Sequence, residues 1–324
     1  MSAIEMANAQ IQAAVLPFGA ALQSLRVRRD GGWRSVVLSR DNLEAPADGF
    51  LGASVGRVAN RIAGAHIDID GVGYQLDANE PPLMLHGGTA GFSEKMWEVR
   101  SASPDEVVFN LESPDKEMGF PGNLSVAAVY KLLADGVQVE YTATTDAPTA
   151  VNLTNHAYFN LAGDDSGPID AHLLQIFASA YTPTDAAGVP TGEIRPVAGT
   201  PLDFTRPAPI GQRREQAAAA GLTRLPGIDT NFCVDGEGLR PLAKVTGPDG
   251  LTLTVSGDAP GVQAYDCYYF CGKVKSPRGV PYGQYAAIAL EPQAWPDAPH
   301  HPGFPDIILR PGQVYRHTIR WQLA

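Results

Sequence analysis

Asp-Gly dipeptides recur between short runs of β-prone residues. They fall at Asp70-Gly71 within AHIDIDGVGYQL, at Asp135-Gly136 within YKLLADGVQVEYTA, and at Asp249-Gly250 ahead of LTLTV. Asp-Gly readily takes the positive φ angles of a type I′ turn, so each predicts two antiparallel strands. Polar and apolar side chains alternate in His66-Ile67-Asp68-Ile69 and in Val137-Gln138-Val139-Glu140-Tyr141. That is the two-residue period of a strand with one buried face. The 34 Gly and 27 Pro are spread throughout, which leaves little room for long helices. Only Ile210 to Gly221, rich in helix formers and closed by glycine, reads as a helix. The expectation is an all-β fold, a large antiparallel β-sandwich with long functional loops. No linker or repeat divides the 324 residues, so a single domain is expected.

The first strand is expected at Ile11 to Leu16, a run too short and too soon broken by Pro17 and Gly19 to be a signal peptide. No apolar run approaches the ~20 residues that span a bilayer, so no membrane partner is expected. Cys233, Cys267 and Cys271 are odd in number and clustered late, unlike a secreted disulfide framework. The cytoplasm is the expected location. A formal net charge of −11, with no basic cluster beyond Arg213-Arg214, argues against a nucleic-acid partner. The same charge mildly disfavours anionic substrates such as sugar phosphates.

Three segments join titratable side chains to apolar β-runs. GRVANRI followed by LHGG carries Asn60, Arg61 and His86; VNLTNHAYFNLAG carries His156 and Tyr158; AAIALEPQAWP carries Glu291 and Trp295. A carboxylate closing an apolar strand is costly to bury without a partner, whereas at an exposed strand end it costs little. A lone histidine is more often a satisfied core residue than a catalyst, and an arginine more often a structural ion pair. Metal ligation is not expected. His300 and His301 are adjacent, so their side chains diverge in extended structure, and no HExxH helix is present. Cys267 and Cys271 flank Tyr-Tyr-Phe in what reads as a strand and are taken as packing residues. GxSxG, Walker and GxGxxG motifs are missing, which removes support for acyl, phosphoryl and nicotinamide chemistry.

Taken in order, these stretches resemble the aldose 1-epimerases, or galactose mutarotases. The resemblance runs through GRVANRIAGAHIDIDGVGYQL, LHGGTAGFSEKMW, VNLTNHAYFNLAG, GIDTNF, GVQAY and LEPQAWPDAPHHPGFP, nearly the whole chain. It implies a supersandwich fold, no cofactor, and a free aldose such as galactose, glucose or a pentose as substrate, acted on by a monomer or homodimer. By position it implies His156 as general acid and Glu291 as general base. Asn60, Arg61, His86, Asp229 and Gln263 would hold the sugar's hydroxyls and ring oxygen, and Tyr158 would line the site. Trp295 would offer an aromatic face to the sugar's C–H surface. Departures from the family pattern lie at AYDCYYFCGKV after Gln263, at Pro299-His300 and at Thr230. They leave the acid and base intact and bear on sugar preference. Either the extra aromatic bulk there narrows the space beyond C5, or Tyr268, Tyr269 and Phe270 alternate into the core and never meet the sugar. Two other readings are a hexose-6-phosphate 1-epimerase, which needs a basic phosphate cradle, and a non-catalytic sugar-binding protein, which needs no matched acid and base.

Overall fold

The computed structural model describes residues 2–40 and 48–324. Strands dominate it, and the helix Ile210–Ala219 falls where composition predicted, with Gly221 at φ 66° just beyond its end. The largest sheet has nine antiparallel strands, in the order Glu98–Ala102, Glu106–Ser113, Leu124–Leu132, Gly136–Thr145, Tyr315–Leu323, Thr252–Gly257, Arg240–Thr246, Leu173–Ile176 and Ala208–Pro209. A six-stranded sheet runs Tyr158–Phe159, Ile288–Gln293, Gly261–Tyr265, Asp229–Val234, Ala178–Thr182 and Arg195–Pro196. One hydrophobic core joins them: Phe109, Tyr130, Tyr141 and Trp321 from the first sheet bury with Phe232, Val262, Ile288 and Leu290 from the second.

The three predicted hairpins all form, but only one has the predicted turn. Asp70 and Gly71 have φ of 53° and 82° between the paired residues Ile69 and Val72, as a type I′ turn requires. At Asp135-Gly136 the last ladder pair is Leu132 with Val137, and the Leu133 N–H bonds the Gly136 carbonyl 2.8 Å away. The turn there is longer, and Gly136 belongs to the strand. At Asp249-Gly250 five residues separate the pair Thr246 and Thr252, and only Gly250 takes a positive φ, 87°. The run Ile11–Leu16 is a strand but not the first; Ile4–Ala7 precedes it and pairs with it. Cys267 and Cys271 do not sit in a strand. Cys267 has φ 60° and accepts the Phe270 N–H at 3.0 Å, so the chain turns immediately after Tyr265.

Strand alternation in the six-stranded sheet separates core from site. Ile288 and Leu290 point into the shared core, so Ala289 and Glu291 point to the other face. Register sets Gln263 beside Glu291 and Asn231 beside Gln263. One row away, Tyr158 opposes Ala289, Ala289 opposes Tyr265, and Tyr265 opposes Asp229.

Candidate active site

A cavity of about 330 Å³ opens over that outer face. Among its walls are Asn60, Arg61, His86, His156, Tyr158, Asp229 and Glu291. Seven of the eight residues proposed from the sequence therefore meet in one place. The eighth, Gln263, lies behind them. It lines a small adjoining recess, and its Nε2 donates to Asp229 Oδ1 at 2.7 Å. Trp295 does not face this cavity: its indole N–H donates to the Pro260 carbonyl, and its ring packs edge-on against Phe304.

His156 Nε2 lies 3.6 Å from Glu291 Oε1, with the side chains only 4% and 2% exposed. The histidine's backbone is pinned to Gly52 and Ala53 by a hydrogen bond on each side, and its ring stacks with Tyr158 and with Phe50. Tyr158 is anchored in turn, its O–H donating to the Gly49 carbonyl at 2.7 Å. Burial governs the protonation of both partners. It pushes the His156 imidazole down to about 3. It raises the Glu291 carboxyl well above its ordinary range, and nearby Asp229 adds to that rise. Each shift disfavours the charged form, and passing the carboxyl's proton to the imidazole 3.6 Å away yields a carboxylate beside an imidazolium.

His86 and Asn60 are locked together. Both have positive φ, 51° and 63°; the His86 N–H donates to the Asn60 carbonyl, and the Asn60 N–H donates to His86 Nδ1 at 3.1 Å. An Nδ1 that accepts leaves neutral His86 with its hydrogen on Nε2. Sequence reading foresaw no metal-ligand cluster, yet His86, His156 and Glu291 bring possible ligand atoms within 4.8 Å of one another. The Asn60 contact makes that set a poor cation site, since His86 presents a donor rather than a lone pair. His300 and His301, expected to diverge, instead both turn toward Asp297, at 2.6 and 3.3 Å, because the chain forms a short 3₁₀ turn there.

Arg61 is held by a two-pronged contact with Glu80, at 2.7 and 3.2 Å, and its Nη1 stands 3.9 Å from Asp229. Arg224 donates to the same Asp229 carboxylate at 3.3 Å and to the Tyr269 hydroxyl at 3.1 Å. Asp229 thus has one oxygen turned to Gln263 and the other to two guanidinium groups. Phe50, Tyr265, Tyr269, Phe270 and Val274 line the same cavity. Sequence reasoning missed Phe50, Glu80, Arg224 and Tyr265. Tyr265 was within reach, being two residues beyond Gln263 on the same strand; the others come from distant loops and had no local signal.

A buried histidine–carboxylate pair at a cavity lined by hydrogen-bonding and aromatic side chains, on a large antiparallel β-fold, marks an acid/base enzyme for a small polar molecule. The comparisons agree. The aldose 1-epimerase family model matches residues 2–322. The galactose mutarotase of Bos taurus is 39% identical over 99% of this chain and 93% of its own, and the aldose 1-epimerase of Escherichia coli K12 is 37% identical over 97% and 92%. The crystal structure of an aldose epimerase homologue from C. elegans superposes with TM-score 0.91 at 30% identity, covering 100% of this chain and 98% of that one. The chain belongs to the aldose 1-epimerase family.

Proposed function

We propose that this enzyme interconverts the α and β anomers of a free aldose, with Glu291 as base and His156 as acid. The observation that carries the reading is the 3.6 Å approach of these two buried groups at the floor of a sugar-sized cavity. To open the ring, the carboxylate takes the proton of the C1 hydroxyl as the C1–O5 bond breaks and C1 becomes a carbonyl. Protonated His156 gives its proton to O5. Rotation about C1–C2 exposes the other carbonyl face, and reclosure runs the two transfers in reverse. Desolvation makes Glu291 a stronger base and His156 a stronger acid than in water, which suits both steps. His86 Nε2–H and the Arg61 guanidinium donate to hydroxyls, while Asp229 accepts from one. Every step is a proton transfer among these residues and the sugar, so the reading calls on no cofactor. The cysteines are free at all three positions, which supports a reducing compartment such as the cytoplasm.

Polarimetry of freshly dissolved aldoses tests the proposal. Glu291→Gln and His156→Ala should each lower kcat by at least ~10²-fold without unfolding the chain, with the double variant little worse than either. A near-normal rate in either single variant would sink the assignment.

A further inference from the structure

One buried charged cluster takes no part in the proton transfers. Asp266 follows the strand Gly261–Tyr265 and is fully buried, with Oδ2 accepting the Ile228 N–H at 3.0 Å. Arg214 of the helix points its Nη1 toward the same oxygen, 3.9 Å away, and gives its Nη2 to Asp170 at 2.7 Å. Its guanidinium lies 3.5 Å above the ring of Tyr285, whose hydroxyl donates to the Pro226 carbonyl at 2.6 Å. Between these two contacts sits Gly227. A Cβ there would come within 2.8 Å of Asp266 Oδ1 and 2.9 Å of Tyr268 Cβ. Pro226 and Ile228 are therefore held by hydrogen bonds on either side of the closely packed Gly227, and the next residue is Asp229, whose carboxylate lines the cavity.

We propose that Asp266 is a positioning residue for Asp229, gripping the preceding segment so that the sugar-binding carboxylate is set before substrate arrives. The proposal rests on the reading of Asp229 as a sugar ligand. Merely supporting Arg214 would not require Asp266 to accept a main-chain N–H one residue before the site. Burial pushes the Asp266 carboxyl up to about 7, against the hydrogen bond from Ile228 and the pull of Arg214, with Asp229 adding to the rise. Whether charged or neutral, the group keeps an oxygen that accepts from Ile228, so an amide in its place preserves the grip. Pre-set binding groups act on affinity more than on proton transfer.

The full chain carrying Asp266→Ala, Asp266→Asn or Tyr285→Phe tests this by two readouts. In Asp266→Ala, amide hydrogen exchange across 227–229, followed without sugar, should speed up by about tenfold or more. KM for the best aldose should rise about fivefold or more while kcat stays within about twofold. Asp266→Asn should restore both to near wild type, and Tyr285→Phe should loosen the same amides while raising KM less. Should Asp266→Ala fail to fold, Asp266→Val, which fills the space without offering an acceptor to Ile228, carries the same comparison. Unchanged exchange overturns the grip itself, and faster exchange with unchanged KM overturns its role in binding. A fall in kcat alone, or Asp266→Asn behaving like Asp266→Ala, overturns the proposal too. Asp229→Asn with unchanged KM would place the error in the sugar-binding reading of Asp229 rather than in the grip.

Discussion

At the scale of single residues, the site is a set of groups whose chemistry is set by burial and by one neighbour each. Glu291 must be ionised to accept a proton, and its carboxyl is raised by desolvation first and by Asp229 second. As pH falls, the active carboxylate is therefore lost earlier than for an ordinary glutamate. The acid limb of kcat/KM should have its midpoint above the ordinary ~4.3. Asp229→Asn removes the second cause and should move that midpoint down; a limb that stays put in the variant would show that Asp229 does not act on Glu291. Arg61 meets Glu80 through two nitrogens and turns a third toward Asp229. Lysine offers one charged nitrogen and no fork. Arg61→Lys should lower kcat/KM by about tenfold, ~1.4 kcal/mol, chiefly through KM. An unchanged kcat/KM would make Arg61 purely structural.

At the scale of elements, the turn that follows the strand Gly261–Tyr265 determines the shape of the pocket. Tyr269, Phe270, Cys271, Lys273 and Val274 line the cavity, whereas Tyr268 does not. Tyr269 and Phe270 thus reach the cavity, and Phe270 is at the same time part of a buried cluster with Tyr158. Phe270 also packs against Tyr158, at 5.1 Å between ring centroids, so the wall is braced against the strand that pairs with Ile288–Gln293. With this aromatic wall beside the cavity, a sugar without a hydroxymethyl arm should fit as well as a hexose. D-Xylose and L-arabinose should come within about tenfold of D-galactose in kcat/KM. A larger lead for galactose, measured by polarimetry on the same preparation, would remove the narrowed pocket.

At the scale of the whole molecule, buried histidines tie stability to pH. His172 is buried, accepts the Leu161 N–H on Nε2 at 3.1 Å, and is pushed down to about 4 by desolvation. Its folded pKa lies below its unfolded one, so its contribution is present above ~6.5 and is lost as pH falls toward the folded value. At pH 5 the unfolded chain gains up to about 2 kcal/mol from protonating this ring. Glu291 and Asp266 have raised folded values and act in the opposite sense, losing stability as pH rises through them. They are common to wild type and variant, so they cancel in a comparison. His172→Gln keeps an acceptor for Leu161 without the titration. Urea unfolding should show a smaller loss between pH 7 and pH 5 in this variant than in wild type; equal losses would contradict the account.

Local rules were enough for what depends on neighbours in the chain. Alternation in HIDI and VQVEY, the Asp-Gly punctuation and the helix-forming run after Ile210 made the strands, hairpins and helix legible, because each follows from side-chain periodicity and backbone preference over a few residues. Turn geometry at Asp135 and Asp249 was not legible, since ladder register rather than the dipeptide decides how many residues close a hairpin. The site residues were visible as motifs, through the resemblance, but their arrangement was not. Gln263 behind Asp229, Trp295 turned away, and His86 held as a donor by Asn60 follow from sheet register and from contacts across tens to hundreds of residues. So do the desolvation of His156 and Glu291 and the grip on the segment before Asp229. Burial and long-range pairing depend on which distant strands lie side by side, and only the closed sandwich brings them together.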